Sequence, residues 1–332
     1  MKNIPLSFLD LVPVPQGSTP KTALQQAVKI AQTAEAVGLN RYWLAEHHNM
    51  QGIASTATSV LLSHIGANTR KIRIGSGGVM LPNHAPLVIA EQFGTLATLY
   101  GERIDLGVGR APGTDGATFR ALRRTYNDAE NFPQDVQELI HYFEPFTNQT
   151  VAAMPANGMH VPVWILGSSL FGASLAAALG LPYAFASHFA PQMLQQAVQV
   201  YRDNFKPSKY LDKPYVMVAG NLLLADRDKD AQYHFTSAQQ SFVNLRRGKP
   251  SQMPKPIEDI ESYWNSAEKH MVESALAISF VGSVASVQPK LEQFIHLIEP
   301  DEMIVTCNVY DNDARLHSLE LVKDLGVFAL NP

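Results

Sequence analysis

The run Trp43-Leu44-Ala45-Glu46-His47-His48 sets one carboxylate and two imidazoles directly after a short apolar stretch. Imidazole is the side chain whose ordinary pKa lies nearest neutrality, so the cluster suits acid/base chemistry. Successive side chains of an extended segment point to opposite faces, so only one of His47 and His48 turns toward a given pocket. That alternation argues against one ion held by both. Their spacing to His84 or His188 matches no metal-site pattern, and no metal is expected.

Three other stretches carry residues suited to binding. Ser76-Gly77-Gly78-Val79 pairs two glycines, which suits either an ordinary turn or close approach of backbone to a ligand. Gly107-Val108-Gly109-Arg110-Ala111-Pro112-Gly113 nearly matches the dinucleotide fingerprint, but Pro112 stands at its third glycine and no amphipathic helix begins there. Arg110 is instead suited to a phosphate, or to a structural ion pair with a carboxylate such as Asp105. Gly167-Ser168-Ser169 opens an alanine-rich helical pattern. Free N–H groups and hydroxyls at such a start serve either an anion or a plain N-cap. Asp10 and the pair Ser187-His188 sit at two further strand ends, with no role fixed by spacing.

These groups need elements to hold them. Apolar runs read as strands at Leu6–Leu11, Tyr42–Ala45, Ile72–Gly75, Ile104–Val108, Val163–Leu166, Tyr183–Phe185, Val216–Leu224 and Met303–Thr306. Helical spacing reads over Thr22–Val37, Ser59–Asn68, Pro86–Tyr100, Gln134–Phe143, Leu170–Leu179, Met193–Phe205 and Arg315–Leu325. Strands that alternate with helices predict an α/β fold with a parallel sheet. Polar and glycine-rich residues follow many of the strands, so a (β/α)8 TIM barrel is favoured over an open sheet. Such a barrel needs about 250 residues, and the chain has 332. The surplus falls in a turn-rich stretch over 148–161 and in a long insertion, 226–278, between strands 7 and 8. Residues 1–332 read as one domain, with the insertion folding as helices over the pocket or the flank.

Composition narrows the class. Hydrophobic residues make up 46% and charged residues 17%, with a net charge of −4. The sequence pI is about 6.3, which gives no basic footprint for nucleic acid. No apolar run is long enough to span a membrane, and the N-terminal run is too short for a signal peptide. The single cysteine, Cys307, excludes an internal disulfide and fits a cytoplasmic location.

In order and strand-end position, these motifs resemble the bacterial-luciferase-like flavin monooxygenases, from Ile4 to about Gly326. The strongest stretches are 42–52, 75–92, 103–113 and 164–191. Single-chain relatives, whose substrates are often unassigned, are the nearer match. The resemblance implies a (β/α)8 barrel, homodimeric through the helices after strands 2 and 3. It implies reduced FMN, supplied by a separate reductase, which reacts with O2 to a C4a-peroxyflavin that oxidises a small-molecule substrate. His47 would be the catalytic acid/base and Glu46 a flavin-site or supporting residue. Gly77 and Gly78 would press on the flavin ring through a non-proline cis peptide. Arg110 and Ser168 would bind the flavin phosphate, and Gly109, Gly167, Ser169, Ser187 and His188 complete the expected cofactor site. Luciferase carries a cysteine at the position of Gly109 and a glutamate at that of Gly167. Two other readings remain: a deazaflavin-dependent oxidoreductase, and a flavin-binding, non-catalytic partner subunit.

Overall fold

Thr19 accepts a hydrogen bond from the Thr22 N–H, Pro20 opens the first helix turn, and Gly38 closes the helix with φ +89°. These signals fix the first βα unit. A computed structural model describes residues 3–110, 116–147 and 150–331. The chain begins β1 (Ile4–Asp10), α1 (Pro20–Val37), β2 (Arg41–Leu44), α2 (Thr58–Asn68), β3 (Arg73–Met80) and α3 (Pro86–Tyr100). It continues through β4 (Ile104–Gly109), α4 (Gly116–Ala121), α5 (Phe132–Phe143), β5 (Val163–Gly167), α6 (Leu170–Leu179), β6 (Tyr183–Phe185) and α7 (Leu194–Asn204). Then come β7 (Val216–Leu224), α8 (Asp228–Arg246), α9 (Ser266–Ala275), β8 (Ser279–Gly282), α10 (Val284–Ile298), β9 (Glu302–Thr306), α11 (Asn312–Leu321) and β10 (Phe328–Ala329).

The strands β1 to β7 pair in parallel in chain order, and β9 pairs with both β7 and β1, which closes an eight-stranded barrel. The eight barrel strands are the eight read from the sequence. Two further strands escaped that reading. β8 adds only to the outer half of β7, with Asn221 opposite Ser279, and β10 adds two residues beside β1. α10 also escaped it, because Pro289 lies inside the helix and breaks the sequence signal.

Residues 226–278 contain α8 and α9. Their proline-rich connection returns to the loops that follow β1 and β2. Met253 exchanges backbone hydrogen bonds with Val14 and Gln16, at 2.8 and 2.9 Å. The insertion therefore straps the loop side of the first two strands.

Inside the barrel, side chains alternate by strand parity. Leu9, Trp43, Trp164, Ala184, Met217, Ala219 and Ile304 form the interior cluster. Trp164 meets Trp43 edge-on at 5.3 Å and Tyr215 at 5.6 Å. The N-terminal end is closed by charge. Arg41 bridges Asp105 (2.7 Å) and Glu302 (3.0 Å), while Arg73 holds the other oxygen of Asp105 (2.6 Å). Ser7, Asn40 and Tyr215 donate to Glu302 as well. Burial favours loss of the Arg41 proton, but Asp105 and Glu302 more than reverse this and hold its pKa above the ordinary value. Asp10 is likewise committed, accepting from Tyr42 Oη (2.8 Å), Arg315 Nη2 (2.7 Å) and the Val12 N–H (2.8 Å). It is a buried anchor between β1 and α11.

Candidate active site

Beyond β2 the inward parity of Arg41, Trp43 and Ala45 falls next on His47. Its backbone N–H donates to the Ser55 carbonyl (3.2 Å), and its Nδ1 is buried without a hydrogen-bond partner. Burial lowers its pKa; Glu46 pulls the other way and His48 adds to the fall, leaving it at about 4. The ring is therefore neutral at pH 7. Glu46 and His48 take the opposite parity. The buried Glu46 carboxylate accepts from His48 Nε2 and His84 Nε2, both at 2.8 Å, and from the Met80 N–H at 3.2 Å. Burial pushes the Glu46 carboxyl up, and the hydrogen bonds from His48 and His84 more than reverse it, so its pKa is lowered. Sequence spacing did not foresee this contact, because His84 returns through the β3–α3 connection. The ligand atoms of Glu46, His48 and His84 lie within 4.8 Å of one another. That donor set would accept a divalent cation, but hydrogen bonds already join its members.

The rim over β3, β4 and β5 is built of glycine. The Gly77–Gly78 peptide bond is cis, as the resemblance implied, and the register against β4 shifts between Gly77 and Val79. A Cβ on Gly77 would lie 2.7 Å from Leu9 Cδ1, and one on Gly78 would lie 2.7 Å from the Gly107 carbonyl oxygen. The barrel's backbone requires Gly78, whereas a Cβ at Gly77 would have to displace the end of the Leu9 side chain. Gly109 and Gly167 differ from them. Among the described residues, a Cβ at Gly109 would meet Met80 Sδ at 3.5 Å, and one at Gly167 would meet Gly172 Cα at 3.6 Å and Tyr183 Oη at 3.9 Å, all ordinary contacts.

The choice left open for Arg110 is resolved against Asp105, whose carboxylate is held by Arg41 and Arg73. Arg110 is exposed, and its guanidinium lies over the Phe171 ring at 4.1 Å. Phe171 belongs to the first turn of α6, so Arg110 from β4 reaches the helix start after β5. Plain capping fails for Ser169: it stands at the N-cap with extended backbone but no side-chain cap bond. Neither the Ser168 nor the Ser169 hydroxyl has a hydrogen bond among the described residues, so both are unspent. Residues Ala111, Pro112 and Gly113 of the near-fingerprint lie outside the described residues.

The rim over β6, β7 and β9 has another chemistry. The Ser187 hydroxyl is fully buried and donates to the Ala219 carbonyl, which ties β6 to β7 and leaves it no second proton to give. His188 follows, half-buried, with its Nδ1 unpartnered. Burial lowers its pKa to about 4, with a further push from His47. On β9, Ile304 is an interior residue, and the same parity carries Thr306 inward. Thr306 Oγ1 and Asn308 Oδ1 are also buried without partners. Sequence reading named neither, though alternation along its eighth strand contained the signal for Thr306.

The sequence model of the luciferase-like monooxygenases matches residues 5–298. A luciferase-like monooxygenase of Escherichia coli K12 is 53% identical over 326 residues, 98% of this chain and 97% of that one. Among solved structures, apo-MsnO8 superposes with a TM-score of 0.91 at 30% identity, covering 99% of this chain and 100% of that one. The oxygenating constituent of 3,6-diketocamphane monooxygenase from Pseudomonas putida, in complex with FMN, shares the fold at TM-score 0.72 and 17% identity over the full length of both. This chain belongs to the luciferase-like monooxygenase family. It is an oxidoreductase whose class oxidises small molecules with dioxygen. No described helix is long and apolar enough to cross a membrane.

Proposed function

We propose that the chain is an FMN-dependent monooxygenase that uses reduced FMN and O2 to oxidise a small organic substrate. The observation that carries this reading is the corner formed by Arg110, Phe171 and the Ser168 and Ser169 hydroxyls, which are unspent among the described residues, beside the side-chain-free positions Gly109 and Gly167. A guanidinium with no ion pair among the described residues and a helix start without a side-chain cap suit a phosphate dianion, and side-chain-free rim positions suit a flat ring. The FMN-bound structural relative gives the cofactor a precedent on this fold. When bound, reduced FMN supplies the electrons that activate oxygen. Arg110, Ser168 and Ser169 would hold its phosphate, and Gly109 and Gly167 would admit its ring. Gly77 and Gly78 keep the β3–β4 rim free of side chains, which would allow close approach of a flat ring. Glu46, locked by His48 and His84, fixes the backbone from which His47 projects. His47, neutral at pH 7, takes a proton from the reacting substrate at Nδ1 and returns it later in the cycle. His188 lies across the mouth, and Ser187 anchors the turn that carries it.

The reading extends to supply and assembly. A separate reductase delivers reduced FMN in the cytoplasm, and residues 1–332 act as one unit with 226–278 as its helical insertion. Two copies pair through α2 and α3, whose Val60, Val88 and Leu99 side chains are exposed.

The test is anaerobic titration with reduced FMN, followed by rapid mixing with oxygenated buffer. The expected result is tight binding and an oxygen-dependent near-ultraviolet absorbance that decays slowly. Binding without that absorbance would favour the non-catalytic partner subunit. Failure to bind FMN, together with binding of a deazaflavin, would move the chain to the deazaflavin-dependent oxidoreductases.

A further inference from the structure

Four buried polar atoms without partners among the described residues lie on three strand ends of the arc from β6 to β2: His188 Nδ1 after β6, Thr306 Oγ1 and Asn308 Oδ1 at and just after β9, and His47 Nδ1 after β2. Buried polar groups are nearly always paired, so a cluster of exceptions marks the place where an incoming molecule completes the set. Asn221 of β7, opposite Thr306 in register, has both of its N–H donors spent. Its Nδ2 donates to the His188 carbonyl (2.8 Å) and to Ser279 Oγ (3.1 Å), which fixes His188 beside β9.

We propose that Thr306, Asn308 and His188 form the substrate-recognition wall, and that it takes an uncharged group bearing an N–H donor beside an acceptor, of which a secondary amide is the simplest. An amide oxygen such as Asn308 Oδ1 only accepts, so its ligand must donate. The Thr306 hydroxyl and the neutral His188 ring each donate or accept. A secondary amide carries both functions and satisfies Asn308 in either orientation of its carboxamide. Charge is excluded by the same inventory. Among the described residues the wall holds no Lys, Arg, Asp or Glu, and the ionic pair near it, Asp10 with Arg315, is closed at 2.7 Å. A charged group there would be desolvated without a counter-charge.

Only the word "substrate" rests on the monooxygenase reading; the recognition chemistry is tested by binding alone. The probes are N-butylacetamide and 2-heptanone, which differ by N–H against CH2. Ligand-observed NMR on the full chain, without flavin and again with oxidised FMN, reads both affinities. The amide should bind at least tenfold more tightly. Thr306→Val, which keeps the side chain's shape, and Asn308→Leu should each reduce that preference to less than threefold, with folding checked by circular dichroism. Equal affinities in the unmodified protein overturn the proposal, whatever the variants do. So does undetectable binding of both probes, a preference unchanged in folded Thr306→Val, or a crystal structure in which N-butylacetamide leaves ordered water on these atoms. No oxygen or reduced flavin is involved, so failure here leaves the FMN experiment untouched, and the reverse.

Discussion

The two ends of the barrel use polar residues in opposite ways. At the N-terminal end Arg41, Arg73, Asp105, Glu302, Tyr215, Ser7 and Asn40 satisfy one another within a closed network. At the C-terminal end His47, His188, Thr306 and Asn308 each keep a buried atom without a partner. The two sets share β2 and β9, where one alternation carries both: Arg41 and His47 are three inward positions apart on β2 and its extension, and Glu302 and Thr306 two apart on β9. The difference teaches where this chain invests stability and where it withholds it. A saturated network holds the strands in place, and unsaturated groups remain available to something not part of the chain.

The largest effect expected of that division is at His47. Replacing it with Gln should lower substrate oxidation by about 100- to 10,000-fold, the usual span for a lost acid/base. Thermal unfolding should shift little, because no hydrogen bond of the ring is lost. A large fall in melting temperature would instead put His47 with the structural set. Arg41→Met tests the other end. Breaking a buried ion pair from one side costs about 3–5 kcal/mol. Urea unfolding should show that loss, while the reaction rate of the surviving folded fraction stays near that of the unmodified protein. A rate falling with His47-like severity, at unchanged stability, would erase the distinction between the ends.

Within the rim a smaller contrast separates the glycine-lined arc of β3–β5 from the polar arc of β6–β9. Arg110→Ala should weaken FMN binding by about 10- to 100-fold, as loss of charge-assisted hydrogen bonds to a phosphate does. Riboflavin, which lacks the phosphate, should bind both proteins alike. Equal weakening for both flavins would assign Arg110 to the ring or to packing on Phe171.

The sequence made the scaffold readable because its signals are local. All eight barrel strands follow from short apolar runs, and Gly38 ends the first helix by a rule that needs no partner. The rim motifs were visible for the same reason, since each lies in a few consecutive residues. What escaped depends on distant chain. Arg41 meets Asp105 and Glu302, 64 and 261 residues away, and no pattern around Arg41 announces either. His84 reaches Glu46 through the turn after β3, 38 residues on. Ser187 looked like a ligand group by position, yet its hydroxyl is occupied by a neighbouring strand's carbonyl. Thr306 and Asn308 carry no motif, and they gain meaning only when closure of the barrel turns β9 toward the same mouth as His47.

The smallest effect tests whether the closed end's logic extends outside the barrel. Glu35, on α1, accepts hydrogen bonds from the backbone N–H groups of Arg70, Lys71 and Ile72, at 2.6 to 2.9 Å. Burial raises its pKa, and the three N–H donors more than reverse that, so the folded-state value is lowered. A depressed carboxylate pKa stabilises the fold fully above the unfolded-state value, and the contribution is lost as pH falls through the folded-state value. The side chain is largely solvent-screened, so Glu35→Gln should cost no more than about 1 kcal/mol at pH 7. Urea unfolding of both proteins across pH 7 to 3 should show the gap narrowing as the carboxylate protonates. A gap that persists at pH 3 would mean that Glu35 acts by shape alone. Closure by charge would then be confined to the barrel's N-terminal end.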